Sequence, residues 1–99
     1  MTTINIGKES LEDGFLTGNG TVGTSEAKIS AVNFPIRKHV VIRADSGNTN
    51  TITVGRPGAA TVGYVLAAGE QTPPLYVDET DKVRVIGGAA SQNFSWVAN

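Results

Sequence analysis

Short runs of β-branched residues, separated by turns rich in glycine, asparagine and aspartate, constrain the fold of this chain more than any other feature. Apolar and polar residues alternate within the runs from residue 37 onward, as they do in strands with one buried face. Clear examples are Val40/Ile42, Ile52/Val54 and Phe94/Trp96/Ala98. Because β-branched side chains pack well on a pleated surface and less well in a helix, the sequence predicts an all-β fold.

The turn residues divide residues 26–99 into about seven predicted strands. These cover residues 27–34, 37–44, 50–55, 63–66, 75–77, 82–86 and 92–98. The second and third are predicted to form a hairpin. Pro73 and Pro74 precede the fifth strand, and because proline lacks an N–H these residues are expected at a sheet edge or at the first position of a strand. Short strands at such regular spacing predict a small antiparallel β-sandwich or a small barrel.

Residues 1–25 have a different pattern and are predicted to form an extended N-terminal arm or loop beside a β-sandwich domain of residues 26–99. Ile4 and Ile6 alternate with polar neighbours, whereas residues 17–25 are rich in glycine, threonine and asparagine. Such an arm becomes ordered on a neighbour only when its new contacts exceed the entropic cost of ordering. The predicted partner-binding residues are Ile4, Ile6, Phe15 and Leu16.

The composition argues against several functions. The chain has 99 residues, no cysteine, one histidine and a net charge of −1. Nucleic-acid binding normally requires a basic excess, which this chain lacks. No apolar run approaches the roughly 20 residues that span a bilayer, and the first residues do not have the pattern of a signal peptide. We therefore expect neither a nucleic-acid nor a membrane partner, and we expect synthesis in a cytoplasm.

Residues 18–23 match the glycine pattern GxGxxG of dinucleotide-binding proteins. That pattern binds a pyrophosphate only where a strand precedes it and a helix follows, because the helix N-terminus contacts the phosphates. Here β-prone residues follow and no alternation of strands and helices develops. We interpret residues 18–23 as a flexible loop and expect no cofactor.

Two acidic segments could suggest a metal site. Residues 45–50 resemble the start of a calcium loop, but the twelfth position, where a bidentate glutamate is needed, is Arg56. Asp78, Glu79 and Asp81 lie close together in a predicted turn, where carboxylates usually face water. We predict no metal site.

Catalysis is not expected either. His39 lies within a predicted strand, on the same face as Arg37 and Arg43, and no acidic residue is close in sequence to orient it. Nucleophilic catalysis by serine or threonine needs a positioned base. His39 is therefore interpreted as a solvated or interface residue, and the protein is predicted not to be an enzyme.

Phe94 and Trp96 face the same side of the last predicted strand. Two large aromatics at this spacing are more typical of a sandwich core than of a platform that stacks on sugars. A carbohydrate-binding module that uses Trp96, Tyr64 or Tyr76 remains an alternative.

An ordered series of segments resembles small β-sandwich proteins of tailed-phage virions, of the capsid decoration or cement type. The series is Val40–Thr49, Ile52–Gly55, Gly63–Glu70, Val77–Asp78, Lys82–Gly87 and Gln92–Ala98. The resemblance covers about residues 37–99 and depends on the order and spacing of the segments, since each one alone is ordinary strand-and-turn sequence.

The resemblance implies a jelly-roll-like sandwich without an active site, located on the surface of an assembled head. It implies binding to the major capsid protein and a homo-oligomer, with a trimer favoured. A neck, tail or head-fibre component of a virion is the alternative within the same class.

Overall fold

The computed structural model describes residues 15–99 of the chain, and residues 1–14 lie outside the described part. The described strands are β1 (Leu16–Val22), β2 (Ala27–Lys28), β3 (Val40–Ala44), β4 (Ile52–Gly55), β5 (Tyr64–Leu66), β6 (Arg84–Gly87) and β7 (Gln92–Ala98). Two single 3-10 turns, Ala60–Val62 and Thr80–Lys82, precede β5 and β6. No helix in residues 15–99 is long and apolar enough to cross a membrane. The predicted all-β fold is confirmed.

The strands form two antiparallel sheets with a shared core between them. The first sheet has the order β1-β7-β3, and the second has the order β2-β6-β4-β5. Alternate residues of β7 are buried and exposed along its whole length. Inward side chains from both sheets, among them Ile42 and Trp96 from the first and Ile52 and Val85 from the second, form one hydrophobic cluster. The predicted sandwich is therefore confirmed.

A further stretch, residues 69–75, extends the first sheet beyond β3, and we call it the edge segment. Isolated antiparallel bridges join Arg43 to Gln71 and Val40 to Leu75. Between these bridges, residues 41–42 of β3 lie opposite residues 72–74 of the edge segment. The one extra residue makes a β-bulge at Pro73 and Pro74. Proline has no N–H to donate to a ladder, so a position at the sheet edge suits this pair. The strand predicted for residues 75–77 does not form, since of these residues only Leu75 makes a bridge, and the border of the sheet is occupied by residues 69–75.

With the edge segment included, the strand pairs are nested in the manner of a jelly roll. β1 pairs with β7, β2 with β6, β3 with the edge segment, and β4 with β5. The first and last strands of the described chain therefore pair with each other, the second strand pairs with the second-last, and so on to β4 and β5 in the middle. The two sheets then have four members each, in the orders β1-β7-β3-edge segment and β2-β6-β4-β5.

The predicted hairpin between residues 37–44 and 50–55 is wrong. β3 pairs with β7 in the first sheet, whereas β4 pairs with β5 and β6 in the second. Residues 45–51 thus cross from one sheet to the other. The buried amide of Gln92 holds this crossing: its Oε1 accepts hydrogen bonds from the backbone N–H groups of Thr49 and Asn50 at 3.1 and 2.9 Å. A partner distant in sequence therefore decides the path of this loop.

The predicted arm is wrong where it covers residues 16–22, because these residues form β1 in the first sheet. The inward positions of β1 are Leu16, Gly18, Gly20 and Val22. The register places Gly18 opposite Trp96 and Gly20 opposite Phe94. A Cβ atom at Gly18 would lie 2.5 Å from the Trp96 ring, and one at Gly20 would lie 2.8 Å from the Phe94 ring. The first two glycines of the GxGxxG pattern, Gly18 and Gly20, therefore make room for aromatic rings within a strand and do not form a flexible loop.

The strand predicted for residues 27–34 is confirmed only for Ala27–Lys28. Residues 32–36 instead run beside the turn at residues 78–81. The hydroxyl of the buried residue Thr80 accepts a hydrogen bond from the Phe34 N–H at 2.9 Å, and the Thr80 N–H donates to the Phe34 carbonyl at 3.0 Å. These bonds replace a regular strand ladder for this part of the chain.

Candidate functional site

The outer face of the first sheet carries a group of exposed or half-buried apolar side chains, Phe15, Val41, Tyr76 and Val97. We call these residues, together with His39 beside Tyr76, the outer patch. Phe15, Tyr76 and Val97 are 59, 79 and 46% exposed. Val41 pairs with Val97 across β3 and β7, and Ala98, the neighbour of Val97, pairs with Leu16. Since successive strand residues point to opposite faces, these side chains point away from the core.

His39 and Tyr76 contact each other at one end of the outer patch. Their ring centroids lie 6.0 Å apart, and the rings meet edge to face at 68°. Val40 exchanges two backbone hydrogen bonds with Leu75, which fixes the two neighbouring side chains on the opposite face. His39 is half-buried in this contact. The patch thus combines aromatic and aliphatic surface with one polar ring, a composition typical of protein-binding surfaces.

The four residues predicted to bind a partner have different locations. Phe15 belongs to the exposed outer patch. Leu16 is only 5% exposed and belongs to the hydrophobic core of its own chain, so its role is packing. Ile4 and Ile6 lie outside the described residues, and their role remains a prediction.

An apolar crevice opens on the flank of the sandwich between β5 and residues 75–77. Its volume is about 460 Å³, and its apolar lining comes mainly from Val54, Val62, Tyr64, Leu75, Val77 and Val83. Val62 is 81% exposed at this crevice. Leu75 and Val77 are partly buried and pack against the core. The crevice therefore exposes apolar surface that joins directly to the interior.

Two exposed cations, Arg56 and Lys82, also line the crevice. Lys82 Nζ lies 2.8 Å from Oδ1 of Asp78, four residues earlier in the chain. The hydrogen bond from Lys82 lowers the pKa of Asp78, and the same bond raises the pKa of Lys82. Both groups are therefore charged at neutral pH, and Arg56 adds a second positive charge to the lining.

The three carboxylates that could suggest a metal site each have a separate partner. Asp78 pairs with Lys82, and Glu79 accepts a hydrogen bond of 2.6 Å from the Asn33 amide. Asp81 Oδ2 lies 3.7 Å from Lys28 Nζ. Residues 15–99 contain no group of three histidine, aspartate or glutamate side chains arranged to hold a metal ion.

Several polar side chains that could serve chemistry hold loops in place instead. The carboxylate of Glu26 accepts hydrogen bonds from the N–H groups of Gly58 and Ala60 at 3.0 and 3.3 Å. It also lies 3.6 Å from Arg84. Gln92 is buried, and its Nε2 donates to the Ala90 carbonyl at 2.8 Å while its Oε1 holds the β3–β4 crossing. Charged and amide groups here satisfy backbone groups, which fixes the loops beside the crevice and at the crossing.

The aromatic residues do not form one shared sugar platform. Trp96 is 2% exposed, and its Nε1 donates to the Ile29 carbonyl at 3.1 Å, so its predicted place in the core is confirmed. Tyr64 lines the crevice, whereas Tyr76 belongs to the outer patch. These two tyrosines therefore lie on different surfaces.

Comparisons with known proteins identify no family for this chain. No protein-family model matches it. No curated protein matches it either. One similar solved structure comes from the Bacillus endospore appendages, a family of disulfide-linked pili. The two chains are 20% identical over 87% of this chain and 85% of that one, with a TM-score of 0.44. A likeness at this level assigns neither a family nor a function.

Sequence reasoning identified Phe15 but missed both the crevice and the outer patch as surfaces. Tyr76 and Val97 alternate with buried neighbours, and this alternation already places them outside the core. Their proximity depends on β3 pairing with the edge segment on one side and with β7 on the other. That information is not local in the sequence.

Proposed function

We propose that this protein is a non-enzymatic structural protein of a virion, which decorates the capsid surface by binding the major capsid protein through the outer patch. The ordered strand-and-turn pattern of residues 37–99 and the jelly-roll pairing support this proposal together. The observation that carries it is the outer patch, where Phe15, Tyr76 and Val97 expose apolar surface on a face built from regular strands.

A rigid face is well suited to docking on a repetitive surface. Association costs entropy for every side chain and loop that becomes ordered, so a preformed patch loses less than a mobile one. Residues of the outer patch lie on β3 and β7 or directly beside β1, β3 and the edge segment, which are joined by backbone hydrogen bonds. Tyrosine, the residue type of Tyr76, is enriched among the residues that contribute large binding energies, and phenylalanine, the type of Phe15, is enriched in interface cores.

The experiment compares two variants for binding to purified heads that lack this protein. The double variant Phe15→Ser/Tyr76→Ser removes both aromatic rings of the outer patch. The control, Val65→Ser, removes an exposed apolar side chain on β5 in the opposite sheet. We expect the double variant to lose at least about tenfold in head affinity, because truncating a central interface aromatic costs about 2 kcal/mol or more.

Equal occupancy of the heads by the double variant, the control and the unchanged protein would overturn the outer patch as the docking surface. Location of the protein at the neck, tail or fibre by electron microscopy would favour the alternative virion component. Retention of a glycan on an array, lost with Tyr64→Ala or Tyr76→Ala, would favour a carbohydrate-binding module instead. Deletions of the N-terminal segment should end at residue 14, because residues 16–22 form β1.

A further inference from the structure

We propose that the apolar crevice is the binding site for the N-terminal segment of the same chain, residues 1–14, with Ile4 and Ile6 as its apolar contacts. This goes beyond capsid decoration and does not depend on it, since it concerns the isolated protein. Three observations support it: where the segment leaves the sandwich, how far it reaches, and how its charges match the surface it would cross.

The segment leaves the sandwich at the same end as the crevice. Leu16 pairs with Ala98, Ala98 with Val40, and Val40 with Leu75, so these four residues form one row across the first sheet. Leu75 is at the far end of that row and lines the crevice. Three strand spacings separate Leu16 from Leu75, which is about 14 Å.

Fourteen residues have the length to cover this distance. An extended chain advances about 3.3 Å per residue, so Ile6, ten residues before Leu16, has a reach of about 33 Å. Ile4 and Ile6 point to the same side of an extended chain, because alternate residues share a face. Two branched aliphatic side chains on one side of a strand match the chemistry of an elongated apolar crevice.

The charges of the segment complement those along its route and at its end. Its carboxylates are Glu9, Glu12 and Asp13, against one cation, Lys8. Two exposed basic residues, Arg37 and Lys38, lie shortly before Val40 in the chain. Val40 belongs to the row of residues that joins Leu16 to Leu75. Glu12 and Asp13 precede Leu16 by four and three residues, a reach of about 10 to 13 Å that equals two to three strand spacings. Arg56 then provides a positive charge at the crevice, where the charge of Lys82 is balanced by Asp78.

Disulfide trapping tests this inference directly because the chain has no cysteine of its own. Ile6→Cys is combined with Val62→Cys, which introduces a thiol at an 81% exposed crevice position that does not affect the core. The matched control combines Ile6→Cys with Val32→Cys, which is 58% exposed. Val32 lines a groove beside Thr17–Thr21 of β1, so it is close to the point where the segment begins and is easily reached by an unbound segment.

With oxidised glutathione as the oxidant, we expect an intrachain disulfide to form at least about tenfold faster in the Val62 pair than in the Val32 pair. Adding Glu12→Lys and Asp13→Lys should slow the Val62 pair and leave the Val32 pair unchanged. Equal rates in the two pairs, or faster bonding to Val32, would overturn the inference. A disulfide between two chains in place of the intrachain one would also overturn it, since the crevice would then bind the segment of a second copy.

A second measurement uses no cysteine. In Ile4→Ser/Ile6→Ser, the amide NMR signals of Val62 and Val77 should shift relative to the unchanged protein, while those of Val32 and Ala31 should stay in place. Shifts confined to residues near Phe15 would contradict binding in the crevice. Failure to bind capsids would not affect either result, so the two proposals can fail separately.

Discussion

The buried hydroxyl of Thr72 shows how one side chain stabilises an irregular sheet edge. Thr72 is almost fully buried, and its Oγ1 accepts a hydrogen bond of 3.1 Å from the backbone N–H of Ile42. The Thr72 N–H donates to the Ile42 carbonyl at 2.9 Å. Because the bulge at Pro73 and Pro74 shifts the ladder, a side-chain oxygen takes the place of a backbone carbonyl as the acceptor for Ile42.

Replacing this oxygen tests its importance. In Thr72→Val the shape of the side chain is kept, but the buried N–H of Ile42 loses its acceptor, so the free energy of unfolding should fall by about 1 to 3 kcal/mol. Thr72→Ser keeps the hydroxyl and removes only a methyl group, so it should cost about 1 kcal/mol or less. Urea unfolding measures the free energy of unfolding of both variants, and the slope of this free energy against urea concentration should be unchanged. A valine variant as stable as the serine variant would show that the N–H has another acceptor.

At the level of elements, β1 is a strand whose inward face is completed by another strand. Gly18 and Gly20 contribute no side chain to the core, and the rings of Trp96 and Phe94 on β7 occupy the space above them. Pairing of a glycine with a facing aromatic ring shields the glycine backbone from water. The inward face of β1 is therefore packed by the side chains of β7.

An alanine at Gly18 should be strongly unfavourable for this reason. Its Cβ would lie 2.5 Å from the Trp96 ring, so the ring must move within a packed core, and overpacking of this kind costs about 1 to 3 kcal/mol. Gly23→Ala is the matched control, since the nearest atom to its Cβ lies 4.0 Å away. Thermal unfolding followed by the fluorescence of Trp96 measures both variants. Equal unfolding temperatures for Gly18→Ala and Gly23→Ala would mean that the Trp96 ring can move without strain.

Strands that carry their own apolar alternation could be predicted from the sequence, and β1 could not. β7 and β4 have bulky residues at nearly every inward position, so their buried faces were correctly predicted. β1 places glycine at two inward positions, which removes the hydrophobic signal and imitates a loop. The path after β3 was also missed, because Gln92, more than 40 residues later, holds it. Phe15 is exposed, as its predicted partner-binding role requires, but that role stays a prediction, and recognising the outer patch required the pairing of distant strands.

At the scale of the whole molecule, the nested pairing leaves the outer patch and the crevice on separate surfaces. The outer patch faces away from the first sheet, and the crevice lies on the flank between β5 and residues 75–77. The proposal of capsid binding and the proposal of segment binding therefore concern different residues.

The homo-oligomer predicted from the sequence resemblance can be measured directly. Light scattering during size-exclusion chromatography should give three times the mass of one chain at micromolar concentration. The same result is expected after deletion of residues 2–14 if the segment binds its own crevice, because it then contributes nothing between subunits. A single-chain mass for the unchanged protein would contradict the trimer, and a trimer that is lost on deletion would place the segment between copies.

The two prolines of the edge segment have a consequence for assembly. They leave one border of the first sheet without N–H groups at two successive positions, whereas β1 at the opposite border has no strand from residues 15–99 on its outer side. A row of identical sheets growing head to tail needs two complementary borders, and here one of them lacks hydrogen-bond donors at Pro73 and Pro74. Growth through this sheet would therefore stop after a two-fold pair of β1 strands, which protects a crowded solution of the protein from forming fibres by that route.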